Sequence, residues 1–357
     1  MTDIIVIGGG VAGISAAARL SHLGRVTLLE AEQHTGYHSS GRSAALFEAN
    51  YGKPTTRGLN AASRSYHETA NGGVLSPRGL MLIGGPDDAA AFADDLADMQ
   101  LDEMSVDEAR AMVPILADHV DRAAFHAAAW DIDTDRLMQN WLRELRANGG
   151  TVMTGARVAA IVRDAAGWHV TVPQGDISAA ILVDAAGAWA DHIAGLAGVT
   201  PLGLTPYRRS MARLAAPGGH DVSRWPMLFG PREAWYAKPD AGALLVSPAE
   251  EDPADPHDAY ADDMVLAEGL ARYQDYVTEE VTRPLATWAG LRTFAPDRQL
   301  VLGRAVDDPT FIWCAGQGGY GFQTAPAASA LIADVVAERT PEIGIDLATA
   351  LSPARFA

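Results

Sequence analysis

Three glycines near the start of the chain, Gly8, Gly10 and Gly13, have the spacing G-x-G-x-x-G. In this pattern the first glycine permits a tight turn, the second lets the backbone approach a pyrophosphate, and the third allows close packing of a helix on a strand. Glu30 ends the next apolar run, where its carboxylate would accept hydrogen bonds from ribose hydroxyl groups. The four residues together predict a dinucleotide-binding site.

The residues around these glycines predict the strand, helix and strand that such a site requires. The apolar run ending at Ile7 is typical of a strand buried on both faces of a parallel sheet. A helical pattern covers residues 14–23, and Gly24 is expected to end that helix. Residues 25–30 supply the second strand, so the N-terminus of the helix would direct free N–H groups at the phosphates.

Composition limits the classes of partner. The chain has 357 residues, a formal net charge of −18 and 48% hydrophobic residues, which is enough apolar material for a core. The acidic net charge argues against a protein that binds nucleic acid or an anionic membrane surface, because clustered Lys and Arg side chains bind both. The single cysteine, Cys314, excludes an internal disulfide and a cysteine-rich zinc site, and no histidine or carboxylate cluster has metal-ligand spacing. We expect a cytoplasmic protein with no stable membrane anchor and no metal.

The loop after Glu30 favours FAD over NAD. It contains a Gly, Ser and Arg run over residues 36–43, and no repeated βαβ units follow, as an NAD domain would require. Residues 181–187 resemble the second flavoprotein signature, a strand that ends at a small-residue turn. Val158 lies where flavoproteins place a backbone clamp on adenine.

The organisation of the chain predicts an α/β fold in which an FAD-binding Rossmann-type domain carries a β-rich substrate domain. Both domains are assembled from separate stretches of sequence. The FAD-binding domain is expected to comprise residues 1–50, 135–206 and 293–350, and the substrate domain residues 51–134 and 207–292. The acid-rich stretch 250–263 is predicted to be a surface loop.

Six stretches, in order over nearly the whole chain, resemble the D-amino-acid oxidase superfamily of FAD-dependent oxidoreductases, most closely its D-arginine dehydrogenase-like members. They are Gly36-Tyr-His-Ser-Ser-Gly-Arg-Ser-Ala-Ala45, Leu75-Ser-Pro-Arg78, Asp131-Ile-Asp-Thr-Asp135, Asp184-Ala-Ala-Gly-Ala-Trp189, Trp288-Ala-Gly-Leu-Arg292 and Gln317-Gly-Gly-Tyr-Gly321. The resemblance implies a two-domain fold in which an antiparallel sheet covers the flavin.

The resemblance also implies further contacts with FAD in the flavin loop, the second signature and the last glycine-rich turn. These residues are Ser40, Gly41, Arg42, Ser43, Ala186, Gly187, Trp189, Gly316, Gly319, Tyr320, Gly321 and Gln323. Because Cys314 lies in a predicted buried strand, FAD is expected to be held non-covalently.

On the substrate side, the resemblance implies that Arg292 binds a carboxylate, which suits its planar guanidinium fork. Strand alternation directs either Arg208 or Arg209 inward, and Arg209 is favoured. Tyr236 resembles a tyrosine that also touches the carboxylate, and Tyr51 resembles one that covers the substrate.

Two departures from the arginine-specific members put D-arginine in doubt as the substrate. Leu80 replaces the glutamate that pairs the guanidinium, and Leu46 replaces a histidine. Glu48 either faces a basic substrate side chain or is a solvated surface residue. With Phe47 and Met81, these leucines otherwise predict an apolar pocket for a neutral D-amino acid, with Gly319 beside it.

The sequence therefore predicts FAD-dependent oxidation of a D-amino acid to an imino acid, which hydrolyses to a 2-oxo acid and ammonia. Oxygen or a quinone would take the electrons. One alternative is oxidation of a secondary amine, such as an N-methylated or cyclic amino acid. Another is a flavin-binding protein without turnover.

Overall fold

The computed structural model describes residues 2–357. Its strands are β1 Ile4–Ile7, β2 Val26–Leu29, β3 Leu46–Phe47, β4 Leu75–Pro77, β5 Leu80–Gly84, β6 Asp102–Met104, β7 Arg122–His126, β8 Trp130–Ile132, β9 Thr151–Met153, β10 Ala160–Asp164, β11 Gly167–Val172, β12 Gly175–Ala179, β13 Ile181–Asp184, β14 Thr205–Ala215, β15 Met227–Phe229, β16 Tyr236–Asp240, β17 Ala243–Ser247, β18 Asp252–Pro253, β19 Ala286–Phe294, β20 Val301–Arg304 and β21 Phe311–Ala315. Its α-helices are α1 Val11–Leu20, α2 Pro54–Thr69, α3 Ala89–Met99, α4 Val106–Met112, α5 Thr134–Ala147, α6 Ala190–Leu196, α7 Asp263–Asp275, α8 Gly321–Val336 and α9 Ile345–Leu351.

A six-stranded sheet in the order β20-β21-β13-β1-β2-β9 carries the glycine-rich turn. All of its pairs are parallel except the edge pair β20–β21. Ile4 and Val6 belong to one hydrophobic cluster, with residues of α1, α5 and α8. Ile5 and Ile7 belong to another, with residues of α6 and of the β10–β12 meander. The prediction that this strand is buried on both faces is confirmed.

A second, nine-stranded sheet forms the other half of the molecule. Its main path runs β18-β14-β17-β16-β15-β5-β7-β6, and β19 pairs with β14. Side chains of β5 alternate between two hydrophobic clusters on opposite faces of this sheet. Leu80 and Leu82 pack in one of them, and Met81 and Ile83 pack in the second. The α/β fold class is therefore confirmed, with a parallel dinucleotide-type sheet beside a mainly antiparallel one. The exact division of the chain into two domains stays a proposal.

The predicted end of the first helix is wrong. The helix begins at Val11 and ends at Leu20, one turn before Gly24. The Ser21 hydroxyl donates to the Ala18 carbonyl at 2.6 Å and the Leu23 N–H donates to the Leu20 carbonyl at 2.9 Å, so a turn replaces the last predicted helical residues. None of the helices in residues 2–357 has the length and apolar composition needed to span a bilayer.

Candidate active site

The glycine-rich turn lies at one end of a cavity of about 700 Å³ that reaches from β1 to the nine-stranded sheet. Gly8 has φ +111°, and a Cβ there would be 2.3 Å from the Ala185 carbonyl oxygen. A Cβ on Gly13 would be 1.8 Å from the Gly8 carbonyl oxygen. No other residue type fits these two positions without moving the backbone. The turn is therefore held tightly between β1, α1 and β13.

Glu30 occupies the position expected of a ribose-binding acid. It is buried at the end of β2 and lines the cavity. Its Oε2 accepts the Gly9 N–H and its Oε1 accepts the Glu32 N–H, both at 2.8 Å. These bonds fix the carboxylate beside the glycine turn, and each oxygen keeps a second lone pair for a ligand hydroxyl.

Most of the predicted cofactor contacts line the cavity. They are Gly8, Gly10, Glu30, Ser40, Arg42, Ser43, Val158, Ala186, Gly187, Trp189, Gly319, Gly321 and Gln323. Gly13, Gly41, Gly316 and Tyr320 lie outside the cavity wall and shape the turns behind it. A Cβ on Gly41, for example, would be 2.4 Å from the Gly36 carbonyl oxygen.

Arg42 lines the cavity, but its guanidinium is hydrogen-bonded to groups of the protein. Nη1 donates to the Ala259 and Ala289 carbonyls, each at 2.8 Å, and Nη2 pairs with Asp258. Arg42 therefore fastens the flavin loop to the segment around Asp258 and to β19. The predicted contact between Arg42 and FAD stays a prediction.

The nine-stranded sheet supplies the other end of the cavity, where two arginines lie on one face. Across the antiparallel pair β14–β19, Arg209 is opposite Gly290 and Tyr207 is opposite Arg292, so Arg209 and Arg292 point to the same side. Arg208 points to the opposite side and pairs with Asp252 at 2.8 Å. Strand alternation thus places Arg209 inside, together with Arg292.

Arg292 lines the cavity without a partner. Within residues 2–357 its guanidinium takes part in no hydrogen bond and no salt bridge. A Cβ on Gly319 would be 3.0 Å from Arg292 Nη1, so the glycine leaves room for the guanidinium. Burial opposes the charged form of Arg292, whereas the negative charges of Glu233 and Glu251 favour it, and the pKa of Arg292 lies above its usual value. A partly buried cation without a partner is unfavourable, which indicates an anionic ligand at this position.

Arg209 is partly neutralised. It is buried, and Nη2 pairs with Glu251 Oε1 at 3.2 Å, while Nε and Nη1 are buried without a hydrogen-bond partner. Tyr236, also on the cavity wall, donates its hydroxyl hydrogen bond to Met211 Sδ at 3.3 Å. Arg292 is therefore the cation most available to a ligand.

Tyr51 lines the cavity and packs edge-on against Tyr320, with the ring centroids 5.2 Å apart. Burial raises the pKa of Tyr51 well above its usual value, so the hydroxyl stays protonated. Tyr320 immediately precedes α8 and does not line the cavity itself.

The position of Glu48 corrects one of the substrate-side predictions. It lines the cavity but is only 2% exposed, so the solvated surface alternative is wrong. His126 Nδ1 lies 2.6 Å from Glu48 Oε2, and the Asn50 N–H donates to Oε1 at 2.9 Å. Both oxygens are already hydrogen-bonded, so a cationic substrate group would share an oxygen with His126 or with the Asn50 N–H.

The predicted apolar pocket is only partly assembled. Leu46 and Leu80 line the cavity, as expected. Phe47 and Met81 do not, because each lies on the other side of its strand and packs in a different hydrophobic cluster. Met211, Met227 and Phe229 take part in the wall instead.

A family model described as FAD dependent oxidoreductase matches residues 3–335 of the chain. The chain belongs to this family. FAD-dependent oxidoreductase domain-containing protein 1 from Bos taurus is 24% identical over 398 residues, covering 94% of this chain and 81% of that protein. The structure of L-proline dehydrogenase from P. horikoshii matches with a TM-score of 0.83 at 20% identity, covering 99% of this chain and 97% of that one. Glycine oxidase from Geobacillus kaustophilus matches with a TM-score of 0.83 at 22% identity, covering 99% and 98%. These two structures share the fold of the chain.

The cofactor of this FAD-dependent oxidoreductase is FAD, and the cavity fits it. The Gly8 turn and the N-terminus of α1 suit a pyrophosphate, and Glu30 suits a ribose. The Val11 N–H donates to Ser40 Oγ at 3.0 Å, which brings the flavin loop onto the same helix end. Residues 2–357 contain no cluster of three or more His, Cys, Asp or Glu side chains arranged for a metal ion.

Glu233, which no sequence pattern indicated, also lines the cavity of this oxidoreductase. It lies in a short turn between β15 and β16. The sequence there has no periodicity that reports side-chain direction, and the only hint is that Tyr236, a predicted site residue, follows it closely.

Cys314 lies in β21, away from the cavity wall, and burial raises the pKa of its thiol to about 12. We expect the thiol of the native protein to be inert to a disulfide reagent near neutral pH, because the thiolate is the nucleophile. Denaturant should expose one reactive thiol per chain. Acid precipitation should release the flavin, as expected for non-covalent FAD. Equal labelling rates for native and unfolded protein would contradict the burial.

Proposed function

We propose that this oxidoreductase oxidises a D-amino acid to the imino acid, which water then hydrolyses to a 2-oxo acid and ammonia. The observation that carries this proposal is the unpartnered guanidinium of Arg292 inside the FAD cavity. A substrate carboxylate would satisfy it with two parallel hydrogen bonds. Bound FAD would supply the hydride acceptor for the α-carbon.

The remaining wall residues orient and enclose the substrate. Arg209 adds positive charge to the carboxylate end, although Glu251 offsets part of it. The hydroxyl of Tyr236 can turn from the weak acceptor Met211 Sδ to a carboxylate oxygen. Tyr51, supported by Tyr320 behind the cavity wall, covers the substrate and reduces water access. The reacting amine must be neutral, and its proton can leave to solvent.

The D configuration rests on the sequence resemblance to D-arginine dehydrogenase-like proteins. The shared fold of L-proline dehydrogenase and glycine oxidase instead favours a second candidate, oxidation of a secondary amine or of a small amino acid. Arg292 would bind the carboxylate in either case, so a substrate panel distinguishes the two candidates.

The deciding measurement is anaerobic bleaching of the flavin absorption band by D- and L-enantiomers of leucine, phenylalanine, lysine and arginine, with proline and sarcosine. Faster bleaching by D-enantiomers of primary amino acids is the expected result. If proline or sarcosine bleaches the flavin and primary D-amino acids do not, the second candidate is correct. If no amine bleaches it, both proposals fall, as they would for a flavin protein without turnover.

A further inference from the structure

Lys238, on strand β16, is a buried lysine in a chain that contains very few. The 27 lysine and arginine side chains include only two lysines, Lys53 and Lys238. Lys53 is exposed, whereas Lys238 is 8% exposed, and neither lines the cavity. A buried ammonium is unfavourable unless acceptor groups replace its lost hydration, so its partners indicate what it does.

Three oxygen atoms surround the ammonium of Lys238. Its Nζ donates to the Ala44 carbonyl, donates to the Ala45 carbonyl at 3.1 Å, and lies 2.8 Å from Asp131 Oδ1. The number of oxygens equals the number of N–H groups that an ammonium carries. The donors of an arginine lie in one plane and would not match three oxygens around a single point. The site is therefore suited to lysine.

Asp131 is fixed in turn by Arg78. The Arg78 Nε and Nη2 donate to Asp131 Oδ2 at 2.8 and 2.6 Å, and Nη1 donates to the Ser223 and Trp225 carbonyls, each at 2.8 Å. Within residues 2–357 neither Arg78 nor Lys238 pairs with a second carboxylate. The two cations share one carboxylate, so this group of three side chains carries one net positive charge.

The carbonyls that Lys238 binds belong to the turn between the cofactor end and the substrate end of the cavity. Ala44 and Ala45 both line the cavity. They lie between Ser43, a predicted FAD contact, and Leu46, which lines the substrate pocket. Ala44 packs against a hydrophobic cluster formed largely by the nine-stranded sheet. A substrate that is oxidised by FAD must meet the cofactor between these two ends.

Ala45 adopts a backbone conformation that its Cβ disfavours, with φ +41°. A residue keeps such a conformation only when its surroundings hold it there. The Ala45 N–H donates to Ser43 Oγ at 3.1 Å, and the Ala45 carbonyl accepts from Lys238. Without the ammonium, the Ala44 and Ala45 carbonyls would lose the donor that they share, and the turn could relax.

We propose that Lys238 is a positioning residue, which fixes the turn at Ala44 and Ala45 and thereby sets the position of the substrate α-carbon relative to bound FAD. A displacement of about 1 Å can lower a reaction rate by about 100-fold. The ammonium also places a positive charge directly behind the cavity wall, which favours the more negatively charged reduced flavin. The effect on the substrate rests on the proposed function, whereas the effect on the flavin requires only bound FAD.

The test compares Lys238→Met with the matched control Lys53→Met in the purified holoenzyme. Methionine keeps a long side chain and removes the ammonium, and Lys53 Nζ donates to a single carbonyl, that of Asp297, at 2.9 Å. Anaerobic stopped-flow reduction of the flavin, with the amino acid that reduces the wild type fastest, gives the rate constant at saturation and the substrate Kd. We expect Lys238→Met to lower the rate constant by about 10-fold or more and to change Kd by less than about threefold, because Arg292 stays in place. Lys53→Met should match the wild type.

The midpoint reduction potential of the flavin requires no amino-acid substrate. Measured with a chemical reductant and a reference dye, it should shift to more negative values in Lys238→Met and stay unchanged in Lys53→Met. Lys238→Arg keeps the charge but not the arrangement of donors, so we expect an unchanged potential and a lowered rate constant. Lys238→Arg also carries the test if Lys238→Met does not fold. Flavin content and circular dichroism establish that each variant is loaded and folded.

Three results would overturn the inference. In the first, Lys238→Met keeps the wild-type rate constant and potential. In the second, the substrate Kd rises as much as the rate constant falls, which would mean that Lys238 acts on substrate binding. In the third, Lys53→Met shows the same losses. If no amino acid reduces the wild-type flavin, the proposed function falls, and the potential alone decides the role of Lys238: a shift in Lys238→Met supports it and no shift overturns it.

Discussion

Replacing Arg292 by lysine is expected to lower kcat/KM for the amino-acid substrate by about 100-fold or more, and replacement by methionine by a larger factor. Lysine keeps the charge but loses the planar fork that binds both carboxylate oxygens. Truncating one partner of an enclosed charge pair costs about 2–5 kcal/mol, and 1.4 kcal/mol is about a factor of ten. Steady-state kinetics would measure the loss in kcat/KM. The dependence of the flavin reduction rate on substrate concentration would separate the effect on substrate binding from the effect on the reaction.

Bound FAD should be retained in both Arg292 variants, because the glycine turn and Glu30 lie at the other end of the cavity. Arg213→Lys is the matched control on β14: its Nε pairs with Asp240 at 3.0 Å, and it does not line the cavity. We expect kcat/KM of this control to stay within about threefold of the wild-type value. A similarly small change in the Arg292 variants would refute the carboxylate-binding role.

The dinucleotide half of the molecule was predictable because its signals are local. The apolar run to Ile7 marks a strand buried on both faces, and Gly8, Gly13 and Glu30 lie within one strand-helix-strand unit. Their neighbours in space are close in sequence or belong to the adjacent strand. Even here the predicted end of α1 is wrong. The Ser21 hydroxyl donates a hydrogen bond to the Ala18 carbonyl, and the helix ends before it reaches Gly24.

The substrate half was less predictable because the partner of each charged side chain comes from a distant segment. The acid-rich stretch after Pro248 reads as a surface loop, yet Glu251 pairs with Arg209 and Asp258 pairs with Arg42. Glu48 is similarly tied to His126, a partner from another strand. Amino-acid type and spacing do not report such pairs, so the availability of Arg292 becomes visible only in three dimensions.

Replacing Gly13 by alanine is expected to give protein with little bound FAD and reduced stability. The new Cβ would lie 1.8 Å from the Gly8 carbonyl oxygen, far inside van der Waals contact, so α1 must move away from the glycine turn. Overpacking of this kind costs up to about 3 kcal/mol, and the same cost applied to the cofactor-binding geometry would weaken FAD affinity by about 100-fold. Flavin content after gel filtration, and thermal unfolding with and without added FAD, would measure the two effects.

Gly195→Ala is the matched control for that substitution. Gly195 lies in α6, and a Cβ there would have no heavy atom within 4 Å. Alanine at an unobstructed helical position stabilises by about 0.5–1 kcal/mol, because it restricts the unfolded chain and favours the helix. We therefore expect full flavin content and an equal or higher melting temperature in Gly195→Ala. If Gly13→Ala matched this control in both measurements, close helix–strand packing at Gly13 would not be what holds the cofactor.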